Sequence, residues 1–321
     1  MSSVTPQLLD TAGPHRYLVL FGRDYISCLE YLPDGQRVVT GSRDGTVRVR
    51  NLESGKQEGV QMKHEGHVTK LTATRDGTKI ISSGWSGKIK VWDVKSHELV
   101  KEWTYWRTYP KISISPDDRL MAVGSWDVDI WTMEGRHIHS IKVGSSIWSL
   151  CFSPDGSKLA CGTGYGTQMY DVASGMLILG PLDGGGVTDM VWSRDGSRLF
   201  SCSHSTIRCW NSDTGQQIGH PWTGHTAVIH SLSLSPDGTI LASVSWDKTA
   251  RFWNTTTGDP VGQHPHRCDA VNAVCFSPCG EFVATAGWGT YIYICRVVER
   301  LVQRQLSNFK YVFSAACSML I

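Results

Sequence analysis

The sequence predicts an all-β protein in which one antiparallel unit is repeated seven times, and three observations lead to this prediction. Residues 234–254 read as three short strands, because apolar and polar residues alternate around the turns at Asp237-Gly238 and Asp247-Lys248. A single unit of this size has two open edges and too little core to be stable alone. The acidic turn residue also recurs at intervals of 38 to 42 residues, at Asp34, Asp76, Asp117, Asp155, Asp195 and Asp237, with Cys279 in the last copy.

The end of each repeat indicates the kind of repeat fold. Each copy ends in a strand closed by a polar residue, clearly at Trp92-Asp93, Trp210-Asn211 and Trp253-Asn254, and more loosely at Arg50-Asn51, Tyr170-Asp171 and Cys295-Arg296. A period of about 40 to 45 residues with four strands per copy and a Trp-Asp ending is typical of β-propellers. We therefore predict a seven-bladed β-propeller of four-stranded antiparallel blades.

These motifs resemble those of the WD-repeat family of seven-bladed β-propellers, of fungal type or like G-protein β-subunits, and the resemblance covers residues 15–298. In that family an N-terminal strand completes the last blade and closes the ring. Residues 16–21 are placed to do this, which would remove two open sheet edges. We expect residues 1–14 to be a disordered N-terminus and residues 299–321 to be a non-repeat tail, basic first and apolar last.

Composition and charge exclude several classes of partner. The chain of 321 residues is 40% hydrophobic and 19% charged, and it has no apolar run long enough to span a bilayer. Residues 296–321 carry four basic residues against one acidic residue, which leaves 27 basic and 28 acidic residues in the remainder. Such a nearly neutral body predicts neither a nucleic-acid nor a membrane partner. Cysteines at strand positions and no leader-like segment predict a cytoplasmic protein, with the nucleus left open.

One cluster of residues suggests metal chemistry. His264, His266 and Cys268 lie on the loop leading into the seventh blade, and Cys275 and Cys279 follow. Tetrahedral zinc is held by ligand pairs on short hairpins, whereas the repeat places Cys279 on the opposite face of the ring. We therefore predict no metal and no cofactor. No set of residues marks a catalytic triad either.

The resemblance implies a structural tetrad in each blade, in which buried hydrogen bonds join a His before the blade, a strand Ser or Thr, a turn Asp and a strand Trp. Blade 6 matches in full, with His225, Ser243, Asp247 and Trp253. Blade 2 keeps Trp92 and has His67 nearby, but Ser86 replaces the Asp. Blade 1 keeps only Asp44 of the tetrad and has Arg50 at the Trp position. In blade 7, Gly289 and Cys295 occupy the Asp and Trp positions. We expect the blades to differ in stability.

The position just before the turn Asp is the most informative one for function, because four of its seven occupants are Trp. From blade 1 to blade 7 they are Arg43, Trp85, Trp126, Tyr165, His204, Trp246 and Trp288. In the family this position faces the rim of the central channel, where the same alignment adds Tyr25, Trp148, His230 and Asn272. Clustered aromatic side chains around a concavity favour peptide binding, since they offer large rigid surfaces. The alternative is that these Trp residues pack between blades.

Two function classes follow. The first is a non-catalytic scaffold, a monomeric ring or part of a larger complex, that binds other proteins or peptides on the aromatic rim; the scaffold role rests on the family resemblance. Propellers of this kind also occur in signalling proteins. The second is an enzyme or metal-dependent binder at the channel mouth, near His264, His266 and Cys268. The sequence favours the scaffold.

Overall fold

Seven four-stranded antiparallel sheets make up the structure, a computed structural model that describes residues 18–21, 24–182, 185–265, 270–288 and 291–297. No helix is present within these residues. Blade 1 consists of β2 (Ile26–Tyr31), β3 (Arg37–Ser42), β4 (Thr46–Asn51) and β5 (Gln57–Lys63). Blade 2 consists of β6 (Val68–Ala73), β7 (Lys79–Gly84), β8 (Lys88–Asp93) and β9 (Leu99–Thr104). Blade 3 consists of β10 (Lys111–Ile114), β11 (Leu120–Gly124), β12 (Val128–Thr132) and β13 (His137–Ile141). The prediction of a seven-bladed propeller with four-stranded blades is therefore confirmed for the residues that the structure describes.

The remaining blades repeat the same order. Blade 4 consists of β14 (Ile147–Phe152), β15 (Lys158–Thr163), β16 (Gly166–Asp171) and β17 (Leu177–Leu182). Blade 5 consists of β18 (Val187–Trp192), β19 (Arg198–Ser203), β20 (Thr206–Asn211) and β21 (Gln217–Trp222). Blade 6 consists of β22 (Ile229–Leu234), β23 (Ile240–Ser245), β24 (Thr249–Asn254) and β25 (Pro260–Pro265). Blade 7 contains β26 (Val271–Phe276), β27 (Phe282–Gly287), β28 (Tyr291–Arg296) and β1 (Leu18–Phe21). The first strand of the chain thus completes the last blade, as predicted, with Leu18 opposite Ile294.

Side-chain hydrogen bonds explain why the Pro-Asp-Gly segments turn the chain. In blade 6, Ser235 Oγ donates to Asp237 at 2.5 Å, and Asp237 accepts the backbone N–H of Thr239 at 3.0 Å. Gly238 has a φ of 76°, a conformation that suits glycine. The same Ser-to-Asp bond recurs at Asp117, Asp155 and Asp195. These turns set the register of each first hairpin.

Apolar packing between neighbouring blades holds the ring together. The innermost strands contact one another in a closed cycle, β2, β6, β10, β14, β18, β22, β26 and back to β2. Each of the seven junctions has its own cluster of buried apolar side chains among the described residues. Each cluster takes side chains from two adjacent blades, so a blade is stable only with its neighbours.

Blade 3 departs from the repeat but keeps four strands. Its second turn is short, and Asp127 accepts the backbone N–H groups of Val143 and Gly144 at 3.0 and 3.1 Å. This carboxylate fixes the chain that leads into blade 4.

The described residues include no helix that is apolar and long enough to cross a bilayer.

Candidate functional site

The second hairpin turn of each blade carries one of the seven predicted turn residues of the rim, while Tyr25, Trp148, His230 and Asn272 lie on or just before the innermost strands. Trp85, Trp126, Trp246 and Trp288 expose 50, 42, 42 and 53% of their surface, whereas the strand tryptophan Trp253 exposes 1%. The turn tryptophans are therefore only partly packed. Tryptophan side chains are highly buried on average, so a set of four that are each about half exposed is unusual for a packing role.

A continuous chain of rings runs across blades 6, 7, 1 and 2, and we call it the first aromatic sector. It consists of His230, Trp246, Trp288, Tyr25 and His67, with successive ring centroids 4.9, 6.2, 5.8 and 6.1 Å apart. Ring pairs at these distances and with tilted or edge-on geometry stabilise one another. The sector therefore forms a preorganised surface beside the channel mouth.

The loop leading into blade 3 adds Trp106, Arg107 and Tyr109 to the turn tryptophans Trp85 and Trp126, and we call these five residues the second aromatic sector. The Trp85 and Tyr109 rings lie 5.8 Å apart. The Arg107 guanidinium lies 4.0 Å from the Trp106 ring centroid and 5.9 Å from that of Trp126, within cation–π range. Trp106, Arg107 and Tyr109 were not among the predicted rim residues, although three of residues 105–109 are aromatic.

The other predicted rim residues differ in what they offer. Tyr165 is 70% exposed, and Arg43 and His204 are exposed as well. Trp148 lies so close to Gly186 that a Cβ on that glycine would meet its ring at 2.5 Å. Asn272 is buried, and its Oδ1 accepts the Trp246 Nε1–H at 3.2 Å. Asn272 therefore orients an indole instead of presenting itself to a ligand.

Burial keeps His67, His230 and Tyr25 of the first aromatic sector uncharged at neutral pH. It lowers the pKa of His67, and the nearby Arg43 lowers it further. It also lowers the pKa of His230, with a further contribution from Lys111. Burial raises the pKa of Tyr25, even though Trp288 and Asn272 hydrogen-bond its hydroxyl. The first aromatic sector thus offers neutral rings to a ligand.

The tetrad of blade 6 joins the loop before β22 to strands β23 and β24. Asp247 Oδ2 lies 2.7 Å from His225 Nδ1, and His225 Nε2 lies 2.8 Å from Ser243 Oγ, which also accepts the Trp253 Nε1–H at 2.8 Å. Burial lowers the pKa of His225, partly offset by Asp247, so the imidazole is neutral. The tetrad holds the turn that carries Trp246 in place.

In blade 2 the tetrad histidine is His64 and not His67. His64 Nε2 lies 2.7 Å from Ser82 Oγ, which accepts the Trp92 Nε1–H at 2.8 Å. Burial lowers the pKa of His64 to about 4, and its buried Nδ1 has no hydrogen-bond partner because Ser86 stands where blade 6 has Asp247. Spacing would have identified it: His225 precedes Asp247 by 22 residues, and His64 precedes Ser86 by the same number.

Two further sequence interpretations concern tetrads and metals. In blade 1, Asp44 binds Thr46 and forms an ion pair with Arg48 at 2.9 Å.

Several predicted positions lie outside the described residues: Gly289, His266, Cys268, the side chain of His264, and residues 1–14 and 299–321. Cys279 is exposed on a turn, and Cys275 is on β26. Among the described residues no group of three or more His, Cys, Asp or Glu side chains is arranged to hold a metal.

Comparison with protein families agrees with this geometry. The family model described as "WD domain, G-beta repeat" matches six segments, residues 16–51, 56–93, 135–167, 178–211, 215–254 and 258–295. The gap from 94 to 134 contains most of blade 3, where the repeat is least regular. The structure nevertheless completes four strands there.

Individual proteins are similar over most of this chain. "Periodic tryptophan protein 2" of Arabidopsis thaliana is 22% identical over 87% of this chain and 30% of its own length. "Cilia- and flagella-associated protein 52" of Mus musculus is 23% identical over 70% of this chain and 38% of its own. "Guanine nucleotide-binding protein subunit beta" of Oryza sativa subsp. japonica is 25% identical over 71% and 69%. The chain thus spans about a third of the length of the first two.

Proposed function

Since the chain belongs to the WD-repeat family, we propose that it is a non-catalytic scaffold whose aromatic rim binds a segment of a partner protein. Propellers of this family generally act in protein interactions and are generally not catalysts. The proposal for this chain goes further, because it assigns the binding surface to the two aromatic sectors.

The half-exposed indoles beside the channel mouth carry the proposal. Trp246 and Trp288 meet edge to face, 6.2 Å apart, and each leaves about half of its surface open to solvent. An apolar or cationic side chain placed on these faces would bury that surface without reorganising the ring. Stacking a cation on a desolvated indole contributes about 1 to 2 kcal/mol, so two such contacts change affinity by one to two orders of magnitude.

Three substitutions test this surface, Trp85→Ala, Trp246→Ala and Trp288→Ala. Each should reduce partner recovery in affinity purification by about tenfold and leave the melting temperature within a few degrees. Met176→Ala is a matched control, because this side chain is 68% exposed and lies on the turn before β17, away from the rim. If all three tryptophan variants melt early and none changes partner recovery at a permissive temperature, the indoles act in packing and the proposal fails.

A direct metal assay on the purified protein distinguishes the scaffold proposal from the alternative of an enzyme or metal-dependent binder.

We further propose that the protein works in the cytoplasm. This is supported by the described cysteines, all of which are free thiols, most of them buried. A tagged protein recovered from the secretory pathway would contradict this location.

A further inference from the structure

Below the rim, the channel contains a ring of side chains at one level, which we call the lysine layer. Each member lies four residues before the side chain that begins its blade's first hairpin turn: Cys28, Lys70, Lys111, Ser149, Asp189, Ser231 and Ala273. All seven line a cavity of about 620 Å³ in the channel. Because the innermost strands form a closed ring, Lys70 and Lys111 project from neighbouring strands, β6 and β10.

The two lysines of this layer have no bonded partner. Neither ammonium makes a hydrogen bond or an ion pair with any described residue, whereas Lys90 binds the Lys63 carbonyl at 3.0 Å and Glu102 at 3.3 Å. Burial lowers the pKa of Lys111, and the charge of Lys70 lowers it further. The channel therefore holds two neighbouring ammonium groups without a contacting counterion, and their like charges repel each other.

The two carboxylates near the lysine layer, Asp189 and Glu30, do not bind the lysines directly. Asp189 accepts Ser149 Oγ through one carboxylate oxygen and the Leu232 N–H through the other, both at 2.9 Å, so it fastens blades 4, 5 and 6 together. Burial raises the pKa of Glu30 to about 7, which leaves much of it protonated near neutral pH. Burial lowers the pKa of Lys70, but these two groups raise it through space without contacting it, and the pKa ends above its ordinary value. Lys70 is therefore charged at neutral pH and available to an anion.

We propose that the lysine layer binds a phosphate-type oxyanion between Lys70 and Lys111. Ammonium groups suit such a ligand, since each is a compact charge with three donors, and charge-assisted bonds to oxyanion oxygens are about twice as strong as neutral ones. Ser231 lies in the same layer and can add a hydroxyl, whereas the Ser149 hydroxyl already donates to Asp189. The ligand is either a free anion or a phosphoryl group carried into the channel by a bound segment. The site does not depend on the aromatic rim.

Calorimetric titration of the full chain tests the site, with sodium chloride holding the ionic strength constant. One arm uses inorganic phosphate and the other a capped Gly-phosphoserine-Gly peptide. We expect saturable binding in at least one arm, and Lys70→Gln or Lys111→Gln should each weaken it by about tenfold or more. Lys95→Gln, an exposed lysine on the turn after β8, should leave it unchanged.

Further variants separate binding from folding. Melting in chloride shows whether each variant is folded, and Lys70→Arg should retain most of the binding because it keeps the charge. Stronger binding of the free ion assigns a free anion, and binding of the peptide alone assigns a phosphoryl group on a partner. No saturable binding in either arm, or binding undiminished in the Lys70→Gln/Lys111→Gln double variant, would overturn the proposal. The measurement uses no partner protein, so its failure leaves the rim proposal intact.

Discussion

Replacing Asp247 with alanine should lower the free energy of unfolding by about 2 to 4 kcal/mol. The carboxylate contacts His225 Nδ1 at 2.7 Å and accepts the Thr249 N–H at 2.9 Å, the Thr249 hydroxyl at 2.6 Å and the Thr226 N–H at 3.0 Å. Asp247 and His225 have side chains 5 and 0% exposed, so water cannot replace all of these bonds.

The magnitude follows from the donors that lose their acceptor. The Thr226 N–H is exposed and can bond to water, and the Thr249 hydroxyl can rotate. His225 Nδ1 and the Thr249 N–H are left, and each buried unsatisfied donor costs about 1 to 3 kcal/mol. Thr249 Oγ1 lies 3.2 Å from His225 Nδ1 and can accept its proton in part, which brings the expected total to about 2 to 4 kcal/mol. Trp253 should stay packed against Trp222, with which it stacks at 6.1 Å, so the loss should be one of stability and not of fold.

Ser86→Ala is the matched control, because Ser86 holds the same place in blade 2. Ser86 is exposed, and its hydroxyl makes no hydrogen bond with any described residue. This change should cost well under half as much as Asp247→Ala. Urea unfolding followed by tryptophan fluorescence measures both variants. Equal losses would refute the reasoning that a buried acceptor distinguishes the two blades.

Three further outcomes are expected. Ser86→Asp should stabilise the protein by about 1 kcal/mol, because it supplies an acceptor to the unpartnered His64 Nδ1; an unchanged or lower urea midpoint would contradict this. Since burial depresses the pKa of His64 to about 4, its contribution is present above pH 6.5 and is lost as the pH falls through 4. Changing His64 to Gln should therefore flatten the fall in stability over that range by up to about 1.4 kcal/mol per pH unit, and an unaltered slope would exclude His64 as its source. Deleting residues 1–21, which removes β1, should cause aggregation or a large drop in melting temperature, whereas deleting 300–321 should be mild; the reverse order would show that β1 is not what closes the ring.

The repeat could be predicted from the sequence because its turns depend on local chemistry. The Ser-to-Asp bond joins residues two apart and the glycine follows the Asp directly, so these turns leave a periodic trace in the sequence. The strand that closes the ring leaves no such trace, and its role came from the family resemblance. Blade 3 keeps its four strands even though its second turn is shortened.

The candidate site was less predictable, because its geometry depends on contacts between blades. The rim positions of the four turn tryptophans follow from the repeat, but their half-exposure depends on how neighbouring blades pack. Trp106 and Tyr109 lie in a loop outside the repeat consensus. Asn272 aligned with rim positions, yet it is buried beneath Trp246. In blade 2 the sequence analysis named His67 as the nearby histidine, whereas the 22-residue spacing to Ser86 identifies His64.

The pairing of Leu18 with Ile294 has a consequence for synthesis of the chain on the ribosome. Synthesis proceeds at about 5 to 20 residues per second, so β1 exists for roughly 15 to 55 s before its partner β28 has been made. During that interval β1 is an unpaired strand, and the growing arc of blades has an open edge at either end. Six blades can assemble in order as they emerge, each on the one before it. The nascent chain is therefore most vulnerable to strand exchange with neighbouring molecules just before the seventh blade leaves the ribosome.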